Sequence, residues 1–156
     1  MKEFPYGIVG PAKIPDVADK ILDEFFQIAD RLGIKACLAF GLCLGFVRDG
    51  GYIDGDNDLD VVVIANDKER MTLTDAMIVN GYKEGRSFDV LRNTHFIKER
   101  ILVDVFFRVD STFYSNFGSV EHQGKSYPIP YQVDKYLVAC YSNWKIKEDQ
   151  DAQYYD

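Results

Sequence analysis

Long apolar runs are missing from this 156-residue chain, and no segment approaches the roughly 20 residues that a membrane-crossing helix needs. The opening stretch MKEFPYGIVGPAKIPD has no sustained apolar core, which argues against a secretory signal and leads us to expect a cytoplasmic location. Basic charge is also short. Eighteen Lys and Arg against 25 Asp and Glu give a formal charge of −7, which argues against a bulk basic surface for long nucleic acids and leaves room for a local positive cleft. Cysteine is sparse: Cys37, Cys43 and Cys140 cannot all pair, and their spacing fits neither a zinc motif nor a disulfide framework. Each sits among apolar neighbours and reads as a small core residue. Repeats, low-complexity blocks and linker-like stretches are absent. What remains is 47% hydrophobic and 14% aromatic, enough for a real core in one domain.

Residues 1–13 read as an irregular lead-in, carrying two prolines and two glycines. A helix then starts at Ile14-Pro15-Asp16, with Val17, Ile21, Phe25, Ile28 and Leu32 forming one apolar stripe before Gly33 stops it. Ile34–Phe40 is the first expected strand and ends at Gly41. A glycine-bracketed turn, Gly41-Leu42-Cys43-Leu44-Gly45, follows, and Leu42–Arg48 suits a short helix leaving it. The β-branched run behind Leu59–Ile64 predicts a buried strand. Asn66 and Glu69 have capping-box spacing for a helix over Asp67–Val79, closed by Asn80-Gly81. Phe88–Leu91, Thr94–Ile97 and Ile101–Val109 are expected strands, the last two joined by a turn at Glu99-Arg100. A second hairpin runs from Gly118 to Tyr127 around Gln123-Gly124 and ends at Pro128 and Pro130. Val133–Tyr141 is the expected last helix, and residues 147–156 form a polar tail. This order predicts an α+β domain over 14–146, one mixed sheet packed by helices.

The chemistry concentrates where four aspartates alternate: Asp54, Asp56, Asp58 and Asp60. Asp58 and Asp60 enter the Leu59–Ile64 strand and share one of its faces, because side chains alternate with period two. Asp104 interrupts another apolar strand, ILVDVFF. Buried carboxylates this close repel unless a cation sits between them. If the two strands are neighbours, Asp58, Asp60 and Asp104 make an oxygen-only site suited to Mg²⁺ or Mn²⁺. Asp104 is then placed to orient or deprotonate a hydroxyl. An EF-hand loop starting at Asp54 is rejected, since its sixth position is Leu59 in place of glycine and its twelfth Ala65 in place of glutamate. A solvated acidic turn accounts for Asp54 and Asp56 alone. His95 and Asp56 are accessory candidates, whereas His122, beside a turn, reads as a surface residue. Lys98, Arg100 and Arg108 are available to offset phosphate charge or simply to be solvated. Tyr141 and Trp144 suit stacking on a base or sugar, or packing of the last helix.

A glycine turn, an Asp-x-Asp entering a strand and a later lone aspartate on another strand resemble the polymerase-beta-like nucleotidyltransferase superfamily. Within it, Phe40–Val61 looks like the LicD and fukutin-related family, whose core reads approximately G-[ST]-L-L-G-x-x-R-x-G-x-x-I-P-W-D-x-D-x-D. Gly41, Leu44, Gly45, Arg48, Gly50, Ile53, Asp56, Asp58 and Asp60 match it. Asn80-Gly81-Tyr82, Val103-Asp104-Val105-Phe106, Tyr127-Pro128-Ile129-Pro130, Tyr136-Leu137 and Tyr141-Ser142-Asn143-Trp144 extend the likeness over roughly residues 20 to 146. The resemblance implies a nucleotidyltransferase-like fold. It also implies transfer of a phospho-alcohol, such as phosphocholine or ribitol phosphate, from a CDP-linked donor to a glycan or other hydroxyl acceptor. Asp58, Asp60 and Asp104 would be metal ligands, with Gly41, Leu42, Cys43, Gly45 and Arg48 facing donor phosphates. Arg48 has an equal alternative in pairing with Asp49, Asp54 or Asp56. Leu42 stands where the family has Ser or Thr, and Asp54-Gly55 where it has Pro-Trp; both departures fall where donor recognition is expected. Transfer of a nucleoside monophosphate from an NTP uses the same site and stays open, as does a catalytically silent nucleotide-binding module.

Overall fold

The computed structural model describes residues 3–4, 7–8, 15–54, 58–85, 93–108 and 113–147. Within the segment read as an irregular lead-in, β1 (Glu3–Phe4) pairs antiparallel with β2 (Gly7–Ile8). Helix α1 spans Pro15–Leu32 and buries Ala18, Ile21, Leu22, Phe25, Phe26, Ile28 and Ala29, the stripe expected from its spacing. Gly33, at φ +68°, ends it in the left-handed conformation that glycine adopts without a Cβ clash.

A mixed sheet holds the centre. It comprises β3 (Lys35–Leu38), β4 (Asp58–Ile64), β5 (Lys83–Gly85), β6 (Asn93–Lys98) and β7 (Ile101–Arg108), in the order β3-β4-β7-β6-β5. Among the described residues only β4 and β7 run parallel, and the chain between them supplies helix α3 (Asp67–Val79), β5 and β6. The capping box at the start of α3 forms as its spacing predicts, with Glu69 N–H donating to Asn66 Oδ1 at 2.8 Å and Asn66 N–H to Glu69 Oε1 at 3.1 Å. Glu99 and Arg100 make the β6–β7 turn with φ of 52° and 67°, the left-handed pair of a two-residue hairpin. β8 (Phe117–His122) and β9 (Lys125–Pro130) form a separate ribbon around Gln123-Gly124. α4 spans Val133–Tyr141.

Several elements differ from expectation. The Ala39 N–H still continues the β3–β4 ladder to the carbonyl of Asp60 at 3.0 Å, and the strand breaks at Phe40, which takes φ 42°. Residues Gly41 to Gly45 are therefore not an open turn: α2 covers Phe40–Leu44 and runs into a π-helical turn at Gly45–Asp49. Pro128 and Pro130 do not end their hairpin but lie within β9. Two residues apart, they point the same way, and the outer edge of a two-stranded ribbon requires no N–H from either. β5 was not anticipated. The strand expected at Phe88–Leu91, Asp56 and residues 148–156 lie outside the described residues.

The two sheet faces are covered differently. α1 and α3 pack on one face, where the Arg70 guanidinium sits 4.8 Å from the Phe107 ring. On the other face, the Phe40 ring meets Phe106 edge-on at 4.8 Å, and Tyr136 of α4 closes over Phe40 at 6.1 Å. Phe40 N–H donates to the buried Tyr136 hydroxyl at 2.9 Å, which satisfies a backbone donor in an unusual conformation. Tyr136→Phe removes that acceptor from a dry site. It is expected to destabilise the fold by about 1–3 kcal/mol, read as a lower denaturant midpoint at unchanged slope.

Candidate active site

Pairing register builds the site. In the parallel β4–β7 pair, Asp60 lies directly across from Asp104, and Asp58 from Leu102. Directly paired residues share a sheet face, so Asp58, Asp60 and Asp104 project together. One carboxylate oxygen from each lies within 4.8 Å of the others. All three are nearly dry, with 9%, 3% and 7% of their surfaces exposed. Three carboxylates so placed form an all-oxygen donor set that a hard divalent cation fits, and a cation would relieve their mutual repulsion.

β6 adds a second row. The antiparallel register sets His95 opposite Asp104, and Asn93 two residues along on the same face. Asn93 Nδ2 donates to Asp104 Oδ1 at 3.0 Å, while His95 Nε2 stands 3.5 Å from the same oxygen. His95 thus lies beside the carboxylates. Asn93 was missed, although its signal was in the sequence: a two-residue turn at Glu99-Arg100 fixes the register back to His95 and Asn93. Asp54 is exposed in a turn, as a solvated residue should be.

The residues expected to face donor phosphates separate. Leu42 and Cys43 are 2% and 0% exposed, so their side chains belong to the core. Burial also pushes the Cys43 thiol far above its ordinary pKa. Gly45 is a packing residue, because a Cβ there would come within 2.5 Å of the Gly51 carbonyl oxygen. Gly41 is half-buried on α2. Arg48 takes the pairing alternative: Nε and Nη2 grip Asp49 at 2.8 and 3.0 Å, and Nη1 donates to the Trp144 carbonyl at 3.2 Å. Trp144 itself is 8% exposed and packs instead of offering a stacking surface.

The remaining charges are structural. Lys98 Nζ binds Glu24 Oε1 and the Asn80 carbonyl, both at 2.8 Å. Arg108 donates to the Phe107 carbonyl at 2.9 Å, and Arg100 is exposed in its turn. His122 is no surface residue. Its side chain is 8% exposed, stacks on Phe46 at 4.2 Å and places Nε2 2.8 Å from Asp19 Oδ1, joining the β8–β9 ribbon to α1. Lys125 adds an ion pair to Asp23 at 2.7 Å.

The fold is that of nucleotidyltransferases. The crystal structure of the lincosamide antibiotic adenylyltransferase LnuA bound to lincomycin matches with a TM-score of 0.58 at 12% identity, over 72% of this chain and 79% of that one. ANT(2'')-Ia in complex with adenylyl-2''-tobramycin matches with a TM-score of 0.57 at 11% identity, over 73% and 69%. A tRNA-processing enzyme in its apo form matches with a TM-score of 0.51 at 20% identity, over 76% of this chain but 34% of that one. No curated protein matches the chain by sequence. The family model described as LicD/FKTN/FKRP, nucleotidyltransferase domain, matches residues 33–146, and the chain belongs to that family. It is accordingly an enzyme of nucleotidyl or phosphoryl-group transfer.

The Arg48–Asp49 pair has a measurable acid limb. The Arg48 hydrogen bonds hold the Asp49 carboxyl below its ordinary pKa of 3.8. A depressed folded-state pKa gives stability that is complete above the ordinary value and fades as pH falls through the lowered one. Asp49→Asn should therefore be less stable than wild type at about pH 6, with the gap closing near about pH 2 as Asp49 protonates, measured by urea midpoints.

Proposed function

We propose that the protein is a metal-dependent transferase, its domain spanning 14–146, that moves a phospho-alcohol such as phosphocholine or a polyol phosphate from a CDP-linked donor to a hydroxyl acceptor, a glycan among them. The observation that carries this reading is the convergence of Asp58, Asp60 and Asp104 on one sheet face in a member of the LicD family. Asp58, Asp60 and Asp104 would hold Mg²⁺ or Mn²⁺ through carboxylate oxygens. Such an ion, when bound, neutralises phosphate charge and polarises the oxygens at phosphorus. Asp104 additionally orients the acceptor hydroxyl and takes up its proton as the oxygen attacks the phosphorus bearing the alcohol and the phosphoanhydride bond to the departing CMP breaks. β4 and β7 fix these carboxylates relative to each other, so orientation at phosphorus is set by the sheet and not by a loop. A role in surface-polysaccharide synthesis in the cytoplasm is consistent with such donors and acceptors.

A second reading is transfer of a nucleoside monophosphate from an NTP. It draws support from the antibiotic adenylyltransferases among the structural neighbours; Leu42, which offers no hydroxyl, is instead the argument for a catalytically silent module.

Thermal shift with Mg²⁺ or Mn²⁺ and either CDP-choline, CDP-ribitol, CTP or ATP separates the two. Stabilisation by CDP-alcohols above that by NTPs is expected; the reverse order would favour nucleotidyl transfer. No metal-dependent shift with any nucleotide would indicate a catalytically silent binding module. Asp58→Ala and Asp104→Ala are expected to lower turnover at least about 10³-fold, since several kcal/mol of charge stabilisation is lost. Both variants should keep wild-type circular dichroism, because each substitution relieves carboxylate repulsion. An unfolded Asp104→Ala with undiminished activity per folded molecule would remove Asp104 from the site.

A further inference from the structure

Beside the three carboxylates, β6 presents a neutral amide to one of them. Asn93 Nδ2 donates to Asp104 Oδ1 at 3.0 Å, a good hydrogen-bond length, whereas His95 Nε2 stands farther from the same oxygen, at 3.5 Å. Both approach from the strand opposite to β4, so Asp104 is contacted from β6 on one side and lies across from Asp60 on the other. We propose that Asn93 is a positioning residue for metal capture: its amide fixes the rotation of the Asp104 carboxylate and thereby shapes the three-carboxylate site before a cation arrives. This rests on the metal-dependent reading above.

The chemistry favours an amide at this place. Without a cation, repulsion from Asp58 and Asp60 favours rotation of the Asp104 carboxyl away from them. A lysine or arginine in the position of Asn93 would hold Asp104 but would cancel negative charge that the cation needs. An amide donates a hydrogen bond and adds no charge, leaving the full attraction of the site intact. The cross-strand geometry supplies this directly: His95 is opposite Asp104, and the diagonal neighbour Asn93 has the reach to close on Oδ1. Groups that orient metal ligands commonly change metal affinity about 10–100-fold when lost.

Mn²⁺ titration by calorimetry on the full chain tests this without any turnover. Asn93→Ala should raise the Mn²⁺ Kd about 10–100-fold. Asn93→Ser, which retains a donor at shorter reach, should fall between wild type and Asn93→Ala. Nucleotide affinity in the absence of metal should be unchanged in both, with wild-type circular dichroism. If Asn93→Ala does not fold, the comparison of Asn93→Ser with wild type decides, a several-fold weaker Mn²⁺ Kd being expected. Equal Mn²⁺ affinity in the Asn93 variants and wild type, while Asp58→Ala binds poorly, would overturn the role of Asn93 and leave the metal-dependent reading standing. A parallel loss of metal-free nucleotide binding would show a structural role and also overturn it. Absence of Mn²⁺ binding to wild type, with and without nucleotide, would overturn both.

Discussion

Three negatively charged groups held within 4.8 Å of one another on a nearly dry sheet face set the terms for the rest of the molecule. Repulsion in such a place is strong, because little water screens it. The fold confines it by backbone pairing: seven residue pairs align β4 with β7 from Asp58–Leu102 to Ile64–Arg108. Leu59, Val61 and Val63 anchor β4 on the opposite face with no exposed surface, and Val103 and Val105 do the same for β7. Hydrophobic burial on one face thus holds charge together on the other, a pairing of local strain with global packing that active sites commonly show.

Support on the carboxylate face comes from a smaller device. Phe40 leaves the sheet in a left-handed conformation, directs its ring at Phe106 and gives its N–H to Tyr136. Ala39 N–H meanwhile binds the carbonyl of Asp60 itself. The chain that follows, α2 and the π-helical turn, is thereby tied to the strand bearing two of the carboxylates. Its far end is fixed by Arg48 bridging Asp49 and the Trp144 carbonyl, so the C-terminal segment helps to immobilise the same neighbourhood. Among the residues expected at donor phosphates, Arg48 makes this anchoring contact.

Much of this was legible because it is local. Capping of α3, the α4 boundaries, both two-residue turns and the face shared by Asp58 and Asp60 follow from spacings of a few residues, where backbone geometry leaves few choices. The Glu99-Arg100 turn even contained the contact between β6 and Asp104, since hairpin register counts outward from the turn. Less was legible where partners are distant. Nothing in the spacing around Arg48 distinguishes Asp49 from Asp54 or from a phosphate. His122 looks solvated until α1 brings Asp19 to it across 103 positions of sequence. Phe40 reads as strand because its apolar character is the same in either conformation; its N–H turns instead to the Tyr136 hydroxyl, 96 positions away.

The parallel alignment of β4 and β7 also determines how the chain can vary in length. A single residue inserted between Asp58 and Asp60 would send the two carboxylates to opposite faces of the sheet, because side-chain direction alternates at every step. β6 carries the same restriction, because Asn93 and His95 meet Asp104 only in the register that the Glu99-Arg100 turn sets. Between that turn and Asn93, as between Asp58 and Asp60, the strands that build the site are fixed in length.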